Sequence, residues 1–450
     1  MSASYTLLLN LVQLDPLTNG GTSIVGYETA RAVMGYVASR PSVRLVIAVN
    51  ARLAANFDVW SANLPKTHYI LTSLDFHEPP EPLLQATVPD VVVSPIYGGA
   101  PFDVAAMAQL GVQHVVLMPD ALPLLHPEYF PPRQLSKRRQ FYADLHRATV
   151  VVAPTQHAAQ TLRAHVQPPI EELHVIPYGA DRLQNVLVDE SAFRPAEPYL
   201  FYPASSWEHK NHDFLFRVME KVWQKRPELQ LVLTGGRTRA VSKEPLEHIE
   251  RATRRHERIH DLGFVTPEHL KALYQHAEAL VFPSSYEGFG IPVIEAMQLG
   301  CPVVCSDAAC LPEVTNGAAL MLAVGDVDMW AETICEQLPE ERERLISVGR
   351  ERAAAFRWAD AGAMLIKLLQ SLGLPEERGP AVPQDSYILQ TIAEHRASAD
   401  PPPPEILKMA SWQQRLRTAN NRQAQVYTRF RILVLVAKLG LRLMARYLRP

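Results

Sequence analysis

Short, continuous apolar runs alternate with stretches of helical periodicity along most of this chain. Uninterrupted apolar runs are typical of strands that are buried on both faces of a parallel sheet. Alternation of such strands with helices predicts a doubly wound α/β sheet, in which ligands bind beyond the carboxyl ends of the strands. In the first part of the chain the predicted strands are residues 5–12, 45–49, 91–93, 112–118, 150–153 and 173–176.

The same alternation begins again after an irregular segment at 177–198. Predicted strands follow at 199–202, 229–234, 259–262, 279–282, 302–306 and 320–322, and predicted helices at 213–224, 243–256, 267–275, 292–299 and 329–338. We therefore expect two Rossmann-like α/β domains, residues 1–180 and 197–358, that face each other across a cleft. A helix over 359–374 is expected to return to the first domain.

Size and composition narrow the class of protein. A chain of 450 residues is too long for one hydrophobic core. Its 47% hydrophobic and 20% charged residues are typical of a soluble globular protein, and a net charge of −3 argues against general nucleic-acid affinity. The chain enters a strand almost at once, so no signal peptide is expected, and it lacks the uncharged apolar run of ~18 residues that a membrane-spanning helix needs.

The cysteines indicate neither a disulfide framework nor a metal site. Cys301, Cys305, Cys310 and Cys335 form no Cys-x-x-Cys pair and have no histidines at metal-ligand spacing. We expect them to be small buried residues in a reducing compartment.

A strand, a glycine loop and a helix follow one another at 279–300. The loop contains Gly288, Phe289 and Gly290, and Pro292 and Gly300 are the start and stop signals of the helix. Such a loop directs backbone N–H groups and the positive end of a helix dipole to one point, which predicts an anion site.

Two carboxylates, Glu287 and Glu295, flank the predicted anion site. A bound phosphate would repel them, so we expect them to face neutral hydroxyl groups. A ligand that carries phosphate and many hydroxyls together is a nucleotide sugar.

The spacing of these glutamates within EGFGIPVIEAM resembles the Glu-x7-Glu signature of the retaining, GT-B-fold glycosyltransferases of family 4, the group 1 glycosyltransferases. Further segments resemble the same family in the same order, over roughly residues 1–370: Lys210-Asn211, 231–236, 262–265, 302–306 and 311–314.

The resemblance implies a first domain on the acceptor side and a second that binds the nucleotide sugar. It places Lys210 at the diphosphate, Glu287 at the hydroxyls of the transferred sugar and Glu295 at the ribose. The implied donor-binding residues are Gly20, Gly21, Lys210, Phe264, Val265, Glu287, Gly288, Phe289, Gly290 and Glu295, and the candidate catalytic residues are Asp120, Glu287 and Lys210.

Two positions depart from the family pattern. Pro119 stands where the family has a histidine near the sugar, which leaves Asp120 to make the polar contact alone, or else merely to form the turn. His126, further along, is expected to be an ordinary loop residue. Ser205 replaces an arginine five residues before Lys210, so His209 or His212 either compensates for the lost cation or has a surface or capping role.

Thr155 occupies a place where family members often have serine, and a role as the N-cap of a helix at 156–164 is sufficient to explain it.

The resemblance implies a metal-independent, cofactor-free hexosyltransferase that retains the anomeric configuration through same-face substitution. Our first choice of donor is GDP-mannose, from which mannose would be transferred. The donors dTDP-rhamnose, UDP-glucose and UDP-N-acetylglucosamine remain open. The expected acceptor is a lipid-linked or growing cell-surface glycan such as O-antigen lipopolysaccharide. The alternatives are a sugar-nucleotide epimerase of the same fold and a degenerate, non-catalytic scaffold.

The end of the chain has a different composition. Residues 375–410 are rich in proline and predict a linker, and residues 411–450 contain many arginines and no acidic residue. Helical spacing puts several cations on one face of this tail and apolar residues on the rest, which suits an anionic membrane surface. We therefore expect a cytoplasmic protein peripheral on the inner face of the cytoplasmic membrane, although the tail could instead pack on its own protein or on a second subunit of a dimer.

Overall fold

The computed structural model describes residues 5–14, 20–74, 80–95, 102–237, 244–376 and 390–391. Within these ranges the chain forms two parallel sheets. The first has the strand order β3-β2-β1-β4-β5-β6-β7. Its strands are β1 (Tyr5–Leu11), β2 (Val43–Val49), β3 (Ile70–Ser73), β4 (Val91–Ser94), β5 (Gln113–Leu117), β6 (Val150–Ala153) and β7 (Leu173–Val175).

The second sheet has the order β10-β9-β8-β11-β12-β13. Its strands are β8 (Tyr199–Pro203), β9 (Gln230–Thr234), β10 (Ile259–Asp261), β11 (Ala279–Phe282), β12 (Val303–Ser306) and β13 (Leu320–Leu322). Strand order reverses between β8 and β11, and parallel sheets bind ligands outside the carboxyl ends of their strands at such a switch point. The predicted fold class is confirmed.

Helices connect the strands of both sheets. In the first domain they are α1 (Gly21–Val37), α2 (Ala51–Ala54), α3 (Phe57–Trp60), α4 (Glu81–Thr87), α5 (Val104–Gln109), α6 (Leu122–Leu125), α7 (Pro132–Asp144) and α8 (Gln156–His165). In the second they are α9 (His212–Lys225), α10 (Glu244–Arg255), α11 (Pro267–His276), α12 (Ile291–Gln298), α13 (Leu311–Thr315), α14 (Val327–Glu332) and α15 (Leu338–Ala353), followed by α16 (Trp358–Ser371).

Shorter elements complete the secondary structure. Single 3₁₀ turns lie at Pro127–Tyr129, Leu145–Arg147, Asp181–Leu183 and Glu208–Lys210, a π-helical segment lies at Thr333–Gln337, and a two-residue strand lies at Gln390–Thr391. Among the helices of the described ranges, none is long and apolar enough to cross a membrane. The predicted linker beyond residue 376 and the predicted tail at 411–450 lie outside the described residues.

The structure differs from the sequence predictions at several elements, of which β3 and the helix predicted at 329–338 are examples. β3 was not predicted, because its sequence, Ile-Leu-Thr-Ser, is only half apolar. The helix predicted at 329–338 is wrong in its bounds: α14 ends at Glu332, a π-helical segment follows, and α15 continues to Ala353. Pro339 has no N–H for an intrahelical bond, so it is accommodated in the first turn of a new helix rather than inside the old one.

The chain crosses between the two domains twice, and the crossings run side by side. The Ala180 N–H donates to the Phe356 carbonyl at 3.1 Å, and the Trp358 N–H donates to Asp181 Oδ1 at 2.9 Å. A Cβ on Gly179 would lie 2.1 Å from the Trp358 nitrogen, so only glycine fits there. α16 then packs on α1, where Gln370 Nε2 donates to the Tyr36 hydroxyl at 2.9 Å.

Candidate functional site

The loop between β11 and α12 adopts the predicted strand–loop–helix geometry. Gly290 is the N-cap residue of α12 with φ 82°, a left-handed conformation that favours glycine. Ile291 is the first helical residue and Pro292 the second, so the prediction that Pro292 opens the helix is off by one position. Glu295 is accordingly the fifth residue of α12 rather than part of its first turn.

The N-termini of α1 and α12 meet at one point. Gly20 is the N-cap residue of α1, and a Cβ on Gly21 would lie 4.0 Å from Ile291 Cδ1. Two helix N-termini that converge present unpaired N–H groups and two positive dipole ends to the same space. The arrangement favours an anion and brings the predicted glycine turn to the predicted glycine loop.

Lys210 lies next to Glu287 in this space. The lysine ends the Glu208–Lys210 turn after β8, and its Nζ donates a hydrogen bond to Glu287 Oε1. Both side chains are largely enclosed, with exposures of 15% and 11%. The prediction that Glu287 faces neutral hydroxyls is therefore incomplete, because the carboxylate also has a cationic partner that offsets the cost of its burial.

Glu295 is buried, with 2% exposure, and both of its oxygens have partners. Arg182 Nε donates to Oε1 at 2.7 Å, and the Tyr274 hydroxyl donates to Oε2 at 3.1 Å. Within the protein this carboxylate thus has one guanidinium and one hydroxyl partner, and its expected contact with ribose hydroxyls stays a prediction. Sequence reasoning missed Arg182 because it lies in the irregular segment between the domains, where no periodicity marks a residue.

Asp120 follows β5 and faces the glycine loop of the second domain. Its Oδ1 accepts from the Leu122 N–H at 2.8 Å, which is the turn-forming contact that we weighed against a catalytic role. Burial raises the pKa of Asp120 to about 6, and the nearby negative charge of Glu287 adds to the increase. The Asp120 Cβ lies 3.2 Å from the position of a Cβ on Gly288, the residue that follows Glu287 in the chain.

The loop at Pro119 touches Gly288 directly. A Cβ on Gly288 would lie 2.1 Å from the Pro119 carbonyl oxygen, so no larger residue fits at position 288. The Tyr142 hydroxyl donates to the Asp120 carbonyl at 2.9 Å and fixes the loop from the first domain. Pro119 therefore contacts the glycine loop through its backbone carbonyl, although its side chain offers no hydrogen-bond donor.

His126 lies further along the same loop and contacts its own neighbours as well as the second domain, where its ring packs edge-on against Tyr286 with centroids 5.7 Å apart. Its Nδ1 is 3.0 Å from Glu128 Oε1, and its ring stacks on Tyr129 with centroids 5.1 Å apart. The contact with Tyr286 lies beside the candidate site, and the role of His126 as an ordinary loop histidine stays a prediction.

His209 and His212 are poorly suited to replace the cation that is absent at Ser205. Burial lowers the pKa of His209 well below its usual range. Burial likewise lowers the pKa of His212 to about 3, and the neighbouring Arg237 and Lys210 cations contribute. Both shifts disfavour the charged imidazolium, which argues against the suggested compensation by either ring.

Phe264 and Val265 occupy the loop after β10. The Phe264 ring is 58% exposed and lies 3.1 Å from the position of a Cβ on Gly236. Val265 is partly buried and packs against the core. The structure thus offers an exposed aromatic face at one of the two predicted donor-binding positions of this loop.

Thr155 has a second contact besides its capping role. Its hydroxyl oxygen accepts from the Ala158 N–H at 3.1 Å, which confirms the predicted N-cap. The hydroxyl also donates to the Gly288 carbonyl at 3.0 Å, in the other domain. The prediction that capping is sufficient to explain this threonine is therefore wrong.

Three of the four cysteines are buried and all four are free, as expected of small core residues. Burial raises the pKa of Cys301 and of Cys305 to about 12, which keeps these thiols protonated. In the part of the chain that the structure describes, no three His, Cys, Asp or Glu side chains cluster so as to hold a metal ion.

Known proteins share both the fold and part of the sequence. Sucrose-phosphate synthase from Thermosynechococcus elongatus superposes with a TM-score of 0.64 at 18% identity, over 82% of this chain and 99% of that one. Two facing parallel-sheet domains of this kind define the GT-B class of fold. The family model described as glycosyl transferases group 1 matches residues 197–339, so the second domain is similar in sequence to the group 1 glycosyl transferases.

Two bacterial relatives are similar in sequence. O-antigen chain mannosyltransferase B of Escherichia coli is 40% identical over 126 residues, which are 28% of this chain and 33% of that protein. O-antigen chain mannosyltransferase RfbU of Salmonella typhimurium is 38% identical over 156 residues, which are 33% of this chain and 41% of that protein. The aligned regions therefore span less than half the length of either relative.

Proposed function

We propose that this protein is a glycosyltransferase that moves a hexose, mannose in the first instance, from a nucleotide sugar to a lipid-linked or growing cell-surface glycan. One observation carries the proposal: the N-termini of α1 and α12 converge, the Lys210–Glu287 pair lies at the loop before α12, and Glu295 is buried one turn into that helix. Helix ends and an ammonium group bind a diphosphate, and carboxylates bind sugar hydroxyls. The names of the two bacterial relatives support mannose as the sugar.

The anomeric configuration is retained in this proposal. The departing diphosphate oxygen takes the proton of the acceptor on the face from which it leaves, while protein groups hold the geometry and stabilise the leaving-group charge. Lys210 already neutralises Glu287, which makes this carboxylate a poor nucleophile and favours its role at the sugar hydroxyls. Asp120 supplies the polar contact from the acceptor side. No metal or other cofactor takes part.

A panel of nucleotide sugars tests the proposal. The purified protein is mixed with GDP-mannose, dTDP-rhamnose, UDP-glucose and UDP-N-acetylglucosamine in the presence of EDTA, and thermal stabilisation is read for each. We expect one of them, GDP-mannose first, to raise the melting temperature and then to be slowly hydrolysed. NMR of the released or transferred sugar would check for retention. Stabilisation by none of the panel would favour the non-catalytic scaffold.

Two variants separate the roles of the glutamates. Glu295→Gln is expected to raise the KM for the donor by about 10-fold with little change in kcat, because it weakens ribose binding. Glu287→Gln is expected to lower kcat, because it acts at the transferred sugar. If both variants raised the KM for the donor equally and left kcat unchanged, the assignment of Glu295 to the ribose and Glu287 to the transferred sugar would be contradicted.

The proposed location is the inner face of the cytoplasmic membrane, reached through the basic residues of 411–450. Their charge and the lipid-linked acceptor support this placement. Co-sedimentation of the full chain with anionic vesicles, and not with zwitterionic ones, is the expected result. Equal binding to the two kinds of vesicle, or binding to neither kind, would contradict this placement. A dimer in solution would favour the alternative in which the tail packs on a second subunit.

A further inference from the structure

Arg237 joins the carboxyl ends of three neighbouring strands. It lies three residues after β9 ends at Thr234. Its Nη1 donates to the Ala204 carbonyl, just after β8, at 2.9 Å. Its Nε donates to Asp261 Oδ2, the last residue of β10, at 2.9 Å. The guanidinium is therefore held at the edge of the sheet where parallel strands bind their ligands.

The position of this guanidinium brings it to the loop that carries Lys210. Ala204 and Ser205 begin that loop, and β8 lies between β9 and β11 in the sheet. Arg237 thus stands on one side of the loop and Glu287, after β11, on the other. Burial lowers the pKa of the His212 ring, and the positive charges of Arg237 and Lys210 add to this decrease.

A diphosphate at this edge of the sheet needs cations whose N–H groups are not all used within the protein. Within the described ranges, Lys210 contacts Glu287, Arg182 contacts Glu295 and Arg237 contacts Asp261, so each of the three cations has a carboxylate partner. Position 205 holds a serine. The lowered pKa values of His209 and His212 disfavour their charged forms.

Arg237 has free capacity for such a ligand. Its contacts with Asp261 and Ala204 use three of the five guanidinium N–H groups. The side chain is 15% exposed, so it is anchored but not closed off from solvent. A guanidinium held by a carboxylate on one edge is pre-organised to bind phosphate oxygens on another.

We propose that Arg237 binds the diphosphate of the nucleotide-sugar donor and supplies the cation that Ser205 lacks, while Asp261 and the Ala204 carbonyl fix its orientation. This assignment rests on the proposed function. The competing role is purely structural, in which Arg237 only ties together the ends of β8, β9 and β10.

Binding measurements with the nucleotide and its parts distinguish these two roles. The dissociation constants of GDP, UDP, inorganic pyrophosphate, guanosine and uridine are measured for the wild type and for Arg237→Ala, Arg237→Gln and Arg237→Lys. We expect Arg237→Ala and Arg237→Gln to weaken the preferred nucleoside diphosphate and pyrophosphate by about 10- to 100-fold. Binding of the matching nucleoside should not change. Arg237→Lys should lose less, because it keeps the charge.

Two further variants serve as rescue and control. Ser205→Arg in the Arg237→Ala background restores a cation on the same loop and should recover part of the diphosphate affinity. Arg226→Ala breaks a comparable arginine–carboxylate pair, in which Nη2 donates to Glu278 Oε2 at 3.0 Å, beside the start of β11. It should leave the affinity for diphosphate unchanged. Arg237→Gln retains a donor for the Ala204 carbonyl and covers the case in which Arg237→Ala does not fold.

The outcomes separate this assignment from the proposed function. If wild type binds and hydrolyses a nucleotide sugar but Arg237→Gln binds diphosphate as tightly as wild type, only the role of Arg237 is overturned. Equal weakening of nucleoside and nucleoside diphosphate also overturns it, in favour of the structural role. If wild type binds no nucleotide, pyrophosphate or nucleotide sugar, both proposals fall.

Discussion

The Thr155 hydroxyl donates a hydrogen bond to the carbonyl oxygen of Gly288 at 3.0 Å, and this bond joins the N-terminus of α8 in the first domain to the glycine loop of the second. The next residues strengthen the contact, because the carboxylate of Glu313 accepts from the Gln156 N–H at 2.8 Å and from the His157 N–H at 2.9 Å. A carboxylate at a helix N-terminus is favoured by the exposed N–H groups and by the helix dipole. The two domains are therefore held in contact beside the candidate site by bonds that any opening of the cleft must break.

Removal of the Thr155 hydroxyl is expected to weaken donor binding. Thr155→Val loses the bond to Gly288 and also the N-cap of α8, which costs about 1 kcal/mol of stability. We expect a lower melting temperature and a several-fold higher KM for the donor, whereas Thr155→Ser should behave like wild type. Asp103→Ala is the control, because it removes the cap of α5, where Asp103 accepts from the Ala106 N–H at 3.1 Å, without touching the second domain. Asp103→Ala should lower the melting temperature without changing the KM for the donor. An unchanged KM for the donor in Thr155→Val would refute the link between domain contact and donor binding.

The Lys210–Glu287 pair should serve both stability and turnover. Lys210→Met or Glu287→Gln leaves a largely enclosed partner unpaired, which is expected to cost about 1–3 kcal/mol in the free energy of unfolding. Each is also expected to reduce turnover by about 100-fold or more with the fold intact. The double variant should regain part of the stability and none of the activity. Urea denaturation and initial rates test this, and wild-type turnover in Lys210→Met would remove the diphosphate assignment.

The raised pKa of Asp120 predicts a specific dependence of stability on pH. Its pKa is about 6 in the folded state and 3.8 in its ordinary environment, so the folded protein binds the proton more tightly. The stabilisation from this group is complete below pH 3.8 and is lost as pH rises toward 6. The free energy of unfolding of wild type, measured relative to that of Asp120→Asn, should decrease as pH rises through this window. Above the window the difference between the two proteins should no longer change with pH. Urea denaturation of both proteins between pH 4.5 and 8 measures the difference, and a flat difference would contradict the shift.

The exposed ring of Phe264 is expected to contribute to the binding of the nucleotide base. Phe264→Ala should raise the KM for the donor by about 10-fold with little change in kcat, because stacking on a base is lost. Phe193→Ala is a matched control, since this ring is 51% exposed and packs on His260, with centroids 5.5 Å apart. An equal rise in the KM for the donor in both variants would show that the effect is not specific to Phe264.

Much of the fold follows from local sequence. The bounds of β6, β11 and β13 coincide with the predicted ones, because apolar runs next to turn residues define a strand within a few positions. The glycine loop and the start of α12 were also predictable to within one residue, since glycine and proline act on their own backbone. Helix propensity and turn geometry depend only on neighbouring residues, so these elements could be predicted from the sequence alone.

The sequence by itself determined the two alternating α/β domains, the glycine loop and the two glutamates beside it. Only the tertiary structure decided what those glutamates contact: Arg182 lies 113 residues from Glu295, and Lys210 lies 77 residues from Glu287. It also decided that His209 and His212 have lowered pKa values and that Asp120 has a raised pKa, because burial and distant charges set these properties. Periodicity and turn chemistry report on neighbours along the chain, whereas partners and dielectric environment depend on which distant residues the fold brings together.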